Sequence, residues 1–135
     1  MNDELEKLLY TRYPKLFKNV TNPNRSIDFF WGCEHEDGWF DIVDSLCKQI
    51  VQEINDERPY PLIQQVKEKF GSLRFYVDRE EPKISAMIAL AEEISSRTCE
   101  VCGSPGTLRS GSWVKTLCDK HAEERGYNEK TEKSE

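Results

Sequence analysis

Three cysteines and one histidine near the end of the chain are spaced as metal ligands. Cys99 and Cys102 are separated by two residues, as are Cys118 and His121, and fifteen residues lie between the pairs. Thiolate and imidazole are zinc's usual donors in tetrahedral sites, and a two-residue gap lets both members of a pair reach one ion from a single turn. Gly103, directly after the first pair, permits the tight backbone that turns amide groups toward the sulfurs. Four protein ligands close the coordination sphere and leave no position for water, so the spacing predicts one structural zinc ion per chain.

The segment around these ligands is poor in apolar residues. Metal binding contributes an apparent 10–16 kcal/mol, roughly, to small zinc peptides, enough to order such a segment. Between the ligand pairs, Leu108, Trp113, Val114 and Leu117 flank Ser110-Gly111-Ser112, which reads as a hairpin. The second pair opens a short helix through Arg125, ended by Gly126. Knuckle, hairpin and helix in that order resemble a treble-clef zinc finger.

Upstream, residues 3–12 read as a short helix carrying Leu5, Leu8 and Leu9, stopped by Pro14. Asn22-Pro23-Asn24 marks a loop, and Ile27-Asp28-Phe29-Phe30-Trp31 an aromatic strand. The strongest helix spans Trp39 to Ile54, with Phe40, Val43, Leu46, Cys47, Ile50, Val51 and Ile54 on one stripe and Cys47 as core packing. Residues 62–78 alternate instead: Val66, Glu68, Phe70, Leu73, Phe75 and Val77 form the inner face of a strand pair turning at Gly71-Ser72. A second amphipathic helix follows Pro82 and uses Ile84, Met87, Ile88, Ala91 and Ile94.

These elements predict an α+β fold, with a small antiparallel sheet, helices and a C-terminal treble-clef-like zinc segment. Residues 1–97 form the core, 98–125 pack on it around the metal, and the polar stretch 126–135 is a disordered tail. Both amphipathic helices are expected on one face of the hairpin, leaving the other face free. Dimerisation through the hairpin edge or the aromatic strand is open to this sequence.

Composition narrows the function. A formal charge of -6 argues against a nucleic-acid coat, and the span from Thr98 to His121 balances Arg109, Lys115 and Lys120 against Glu100 and Asp119. No apolar run reaches the roughly 18 residues of a membrane span, and the acidic N-terminus lacks signal-peptide features, so a cytosolic protein with reduced thiols is expected. Five cysteines, an odd number, also fit thiolate ligands better than disulfides.

Catalytic signatures are scarce. Neither a phosphate loop nor a nucleophile elbow is present, and His35 sits in what reads as an exposed acidic turn with Glu34, Glu36 and Asp37. Cys33 has no activating basic neighbour in sequence, and Cys33 with His35 would make only an isolated ligand pair. A non-enzymatic role is therefore expected. The outer hairpin face offers more, because alternation places Lys67, Lys69, Arg74 and Tyr76 together. Cations beside an aromatic ring suit a nucleotide-type anion or an acidic protein surface.

Several stretches carry a resemblance: Tyr13-Pro14-Lys15-Leu16-Phe17, Asp37-Gly38-Trp39-Phe40-Asp41, the run from Val66 to Tyr76, Thr98 to Gly103, and Trp113 to Asp119. In this order they are similar to a family of small, uncharacterised phage and prophage proteins. The resemblance implies a phage-type accessory protein in a bacterial host cytosol. Such a protein acts by binding a host protein, for instance a defence component, or by sequestering a small anionic nucleotide. Nucleic-acid binding is a third, weaker alternative.

Overall fold

The computed structural model describes residues 1–18, 30 and 32–127. The Asn22-Pro23-Asn24 loop, most of the aromatic strand including Trp31, and the tail from 128 onward lie outside the described residues. The architecture is α+β, with a three-stranded and a two-stranded sheet.

Helix α1 (Asp3–Arg12) starts at Asn2, whose side chain accepts the Leu5 N–H at 2.8 Å. Strand β1 (Cys33–Glu34) is followed by a 3-10 turn (Asp37–Trp39) that runs into α2 (Phe40–Ile54). The regular helix thus begins one residue later than its apolar pattern suggests, because Gly38 and Trp39 are engaged elsewhere. Asn55 ends it in the left-handed conformation, with φ of 49°.

Strands β2 (Ile63–Lys69) and β3 (Ser72–Val77) form an antiparallel hairpin, and β1 joins β2 in parallel. Simple alternation would bury Gln64 with Val66. A bulge between Ile63 and Gln65 inserts an extra residue, so Ile63 and Val66 both face the core. The turn lies at Phe70-Gly71, one residue earlier than expected: Lys69 pairs with Ser72, and both turn residues have positive φ, 55° and 86°. That is the two-residue turn whose twist suits a hairpin. Phe70 is consequently not on the inner face; it projects from the tip, 72% exposed.

Helix α3 (Pro82–Ser95) covers the hairpin and packs on α2. Val43, Leu46, Cys47, Ile50 and Ile54 share one core with Val66, Leu73, Phe75, Ile84 and Ile88. Phe30 also joins this core, whereas Ile94 remains partly exposed. The sheet's flanks are covered. Ser95 accepts the Leu73 N–H at 2.8 Å and Glu92 the Phe75 N–H at 3.1 Å, while Glu6 accepts the Cys33 N–H at 2.8 Å. These side chains occupy the Leu73 and Phe75 amides that would otherwise face outward from the hairpin edge.

The C-terminal part contains β4 (Thr107–Arg109), β5 (Lys115–Leu117) and α4 (Asp119–Glu124). Its own apolar cluster has only Cys99, Leu117 and Ala122 fully buried, joined by partly buried Val101, Cys118 and Tyr127. So small a cluster needs a staple.

Candidate metal centre

Cys99, Cys102, Cys118 and His121 converge, their donor atoms all within 4.8 Å of one another. The Cys102 and Cys118 sulfurs are 3.8 Å apart; His121 Nδ1 lies 3.7 Å from Cys99 Sγ and 3.2 Å from Cys118 Sγ. A tetrahedron with zinc–sulfur and zinc–nitrogen bonds near 2.3 and 2.0–2.1 Å has edges of about 3.8 Å between sulfurs and about 3.5 Å between sulfur and nitrogen. The donor set therefore fits one tetrahedral metal ion.

Local structure explains the convergence. In the knuckle, Gly103 (φ 83°) donates its N–H to Cys99 O at 2.9 Å, and Cys99 N–H reaches Ser104 O at 2.7 Å. Hydrogen bonds from Ser104 pull the Cys102 thiol down to about 6, toward the thiolate form that binds a metal. Cys118 stands at the start of α4, and the first turn of that helix brings His121 to the same point. The far nitrogen of His121, Nε2, lies 3.9 Å from Glu124 Oε1, in the same electrostatic neighbourhood but beyond hydrogen-bond distance.

The knuckle rests on the core at the Asp37-Gly38-Trp39 turn. Gly38 N–H donates to Glu100 O at 2.7 Å, and the Trp39 indole N–H donates to Thr98 O at 2.9 Å. Trp39 is fully buried beneath it. Glu100, 1% exposed, accepts from Glu36 N–H at 3.1 Å and Lys115 Nζ at 3.1 Å. Burial pushes the Glu100 carboxyl above the usual carboxylate range, against the pull of Lys115. Arg125 grips Glu36 with two bonds of 2.6 and 2.7 Å, which hold that carboxyl below its ordinary value. A second seam joins the hairpins: Thr116 Oγ1 donates to Gly71 O at 2.6 Å, a buried contact.

The outer hairpin face holds the other sequence-derived candidates. Lys67 lies opposite Arg74, Lys69 opposite Ser72, and Gln65 opposite Tyr76, so all four candidates share one face. They do not share one cleft. A cleft of about 370 Å³ is lined by Lys67, Glu68, Lys69 and Phe70 from the core hairpin and by Ser112, Trp113 and Val114 from the metal-bound hairpin. Tyr76 and Arg74 lie outside it, and Arg74 bonds instead to Ser72 Oγ at 2.9 Å. Phe70 and Trp113 are 72% and 63% exposed, and Phe70, assigned by alternation to the inner face, is a functional candidate that sequence reasoning missed. Gly71 was the available signal for a turn here, but a Phe before it argues against the positive φ that Phe70 adopts.

His35 is not in an exposed turn. It is 5% exposed, with Nδ1 2.7 Å from Glu36 O and its ring 5.6 Å from that of Trp39. Burial lowers its pKa from 6.5 to about 4, so it stays neutral, and burial pushes the Cys33 thiol up to about 12. Among the described residues, the four-ligand group is the only Cys/His/carboxylate cluster placed to hold a metal ion. No helix among them is long and apolar enough to cross a membrane. Comparison with protein-family models, curated proteins and solved structures finds no match.

Proposed function

We propose that this chain is a non-enzymatic binding protein, ordered at its C-terminal end by one structural zinc ion, which docks a partner protein on the two hairpin tips. Three thiolates and an imidazole in a closed tetrahedral arrangement favour zinc over harder divalent ions. The docking reading is carried by Phe70. A bulky residue with positive φ is an outlier where Asn or Gly would fit without strain, and here the side chain is left in solvent. Exposed Trp113, contributed by the other hairpin, extends the patch; aromatic anchors of this kind dominate protein interfaces. The likeness to phage and prophage proteins makes a bacterial host protein, such as an antiviral defence component, the partner class to test first.

The test is affinity capture from bacterial extract, using the zinc-loaded chain and its Phe70→Asn, Trp113→Ala double variant as parallel baits. A specific partner that is retained by the first and lost by the second supports docking at the tips. Equal capture by both baits rejects it.

A further inference from the structure

We propose that the cleft between the two hairpins is a seat for a nucleoside monophosphate, with the phosphate on Lys67 and Lys69 and the base on the aromatic wall of Trp113 and Phe70. The inference takes its location from the composite surface described above, and it fails separately from the protein-docking reading.

Charge is the first support. Many of the chain's cations are already matched: Arg12, Lys15, Arg58, Arg97, Arg109, Lys115 and Arg125 each sit within ion-pair distance of a carboxylate. Lys67 and Lys69, in contrast, make no ion pair among the described residues, although the chain as a whole carries -6. Glu34 is the register neighbour of Lys67 on β1, yet no bridge forms. Glu68, the one acid in the cleft lining, belongs to the inner face and accepts the Gly71 N–H at 2.8 Å. Two residues apart on a strand, the lysines stand about 6.6 Å apart along it, close enough to share one phosphate.

Shape is the second support. About 370 Å³ is at the lower end of the range for small-ligand sites and suits a single nucleotide better than an extended chain. Lys69 Nζ lies 5.6 Å from the Phe70 ring centroid, so cation and ring already face the same space. An exposed indole beside them supplies a stacking surface, and every base has a π-face to place on it. Ser112 adds a hydroxyl for ribose or base.

Calorimetric titration of the full, zinc-loaded chain tests this, with AMP, GMP, CMP and UMP as probes. Adenosine, inorganic phosphate, a ten-residue oligothymidylate and an acidic Asp/Glu peptide serve as comparators. The proposal expects at least one monophosphate to bind with a stoichiometry of one. Adenosine and phosphate alone should bind at least tenfold more weakly, and Lys67→Ala with Lys69→Ala should weaken the monophosphate at least tenfold. Lys48→Ala, an exposed lysine on α2, is the control and should change nothing. A melting temperature unchanged in the double lysine variant separates lost binding from lost folding. No heat with any monophosphate at millimolar concentration overturns the proposal, as does binding that survives the double variant. Preference for the oligothymidylate or the acidic peptide over every monophosphate overturns it too, because the occupant is then a strand or a protein. Partner capture through Phe70 and Trp113 would be untouched by any of these negative results.

Discussion

Gly38 lies flat against Cys99: a Cβ on this glycine would sit 2.3 Å from the Cys99 carbonyl oxygen and 2.6 Å from the backbone of Glu100. No side chain can move aside there, since both neighbours are backbone. The metal-bound knuckle and the start of α2 can meet only because this residue has no side chain. Gly38→Ala is expected to cost about 3 kcal/mol, at the upper end of overpacking penalties. Urea denaturation should show the lower midpoint, and near-UV circular dichroism a weaker signal from Trp39.

Metal removal should act regionally. Purified protein is expected to carry one zinc per chain by elemental analysis. After chelation, hydrogen exchange should rise at Val101, Leu117 and Ala122, whose small cluster cannot persist alone, while Val43, Ile50 and Phe75 in the main core stay protected. Cys118→Ser should reproduce the pattern without a chelator. Uniform protection in the metal-free chain would show that zinc is not what orders this end of the protein.

Phe70→Asn should stabilise the fold by about 1 kcal/mol, because asparagine tolerates the left-handed conformation that Phe70 is held in at φ 55°. Little packing is lost from a side chain so exposed. A thermal melt checks the sign. Stability gained together with partner capture lost would mark a residue kept for binding at the expense of folding.

His35 gives a pH dependence with a defined sign. Its folded value is lowered by burial to about 4 from 6.5. Between these values the unfolded chain takes up a proton that the folded chain excludes, so stability is full above about pH 6.5 and declines as pH falls toward 4. The total reaches at most about 3 kcal/mol. The difference between wild type and His35→Gln isolates it, because metal ligands that protonate in the same range are common to both. Parallel stability curves for the two proteins would disprove the assignment.

What the sequence made legible was local. Two-residue gaps in Cys99-x2-Cys102 and Cys118-x2-His121 bring donors to one point whatever the rest of the chain does, and the convergence of all four follows from the hairpin between them. Alternation likewise assigned Lys67 and Arg74 to one face. Misplacing the turn by one residue left that face intact, because it changes each residue's cross-strand partner by two positions, which keeps the same side of the sheet. The bulge at Gln64 was not legible, nor was the burial of His35. Both depend on contacts made far along the chain: His35 lies next to Trp39 at the seam where Thr98 and Glu100 arrive from sixty residues away, roughly. The composite cleft was hidden for the same reason, being half core hairpin and half metal-bound hairpin.

The side chains that close the sheet's flanks limit how this protein meets other molecules. With the outward amides of Leu73 and Phe75 already taken by Ser95 and Glu92, an incoming peptide finds no row of donors to zip onto and must approach the broad side of the hairpin. The same stoppers keep one copy from stacking on the next through these two amides, so the aromatic tip is displayed beside an edge that is already occupied.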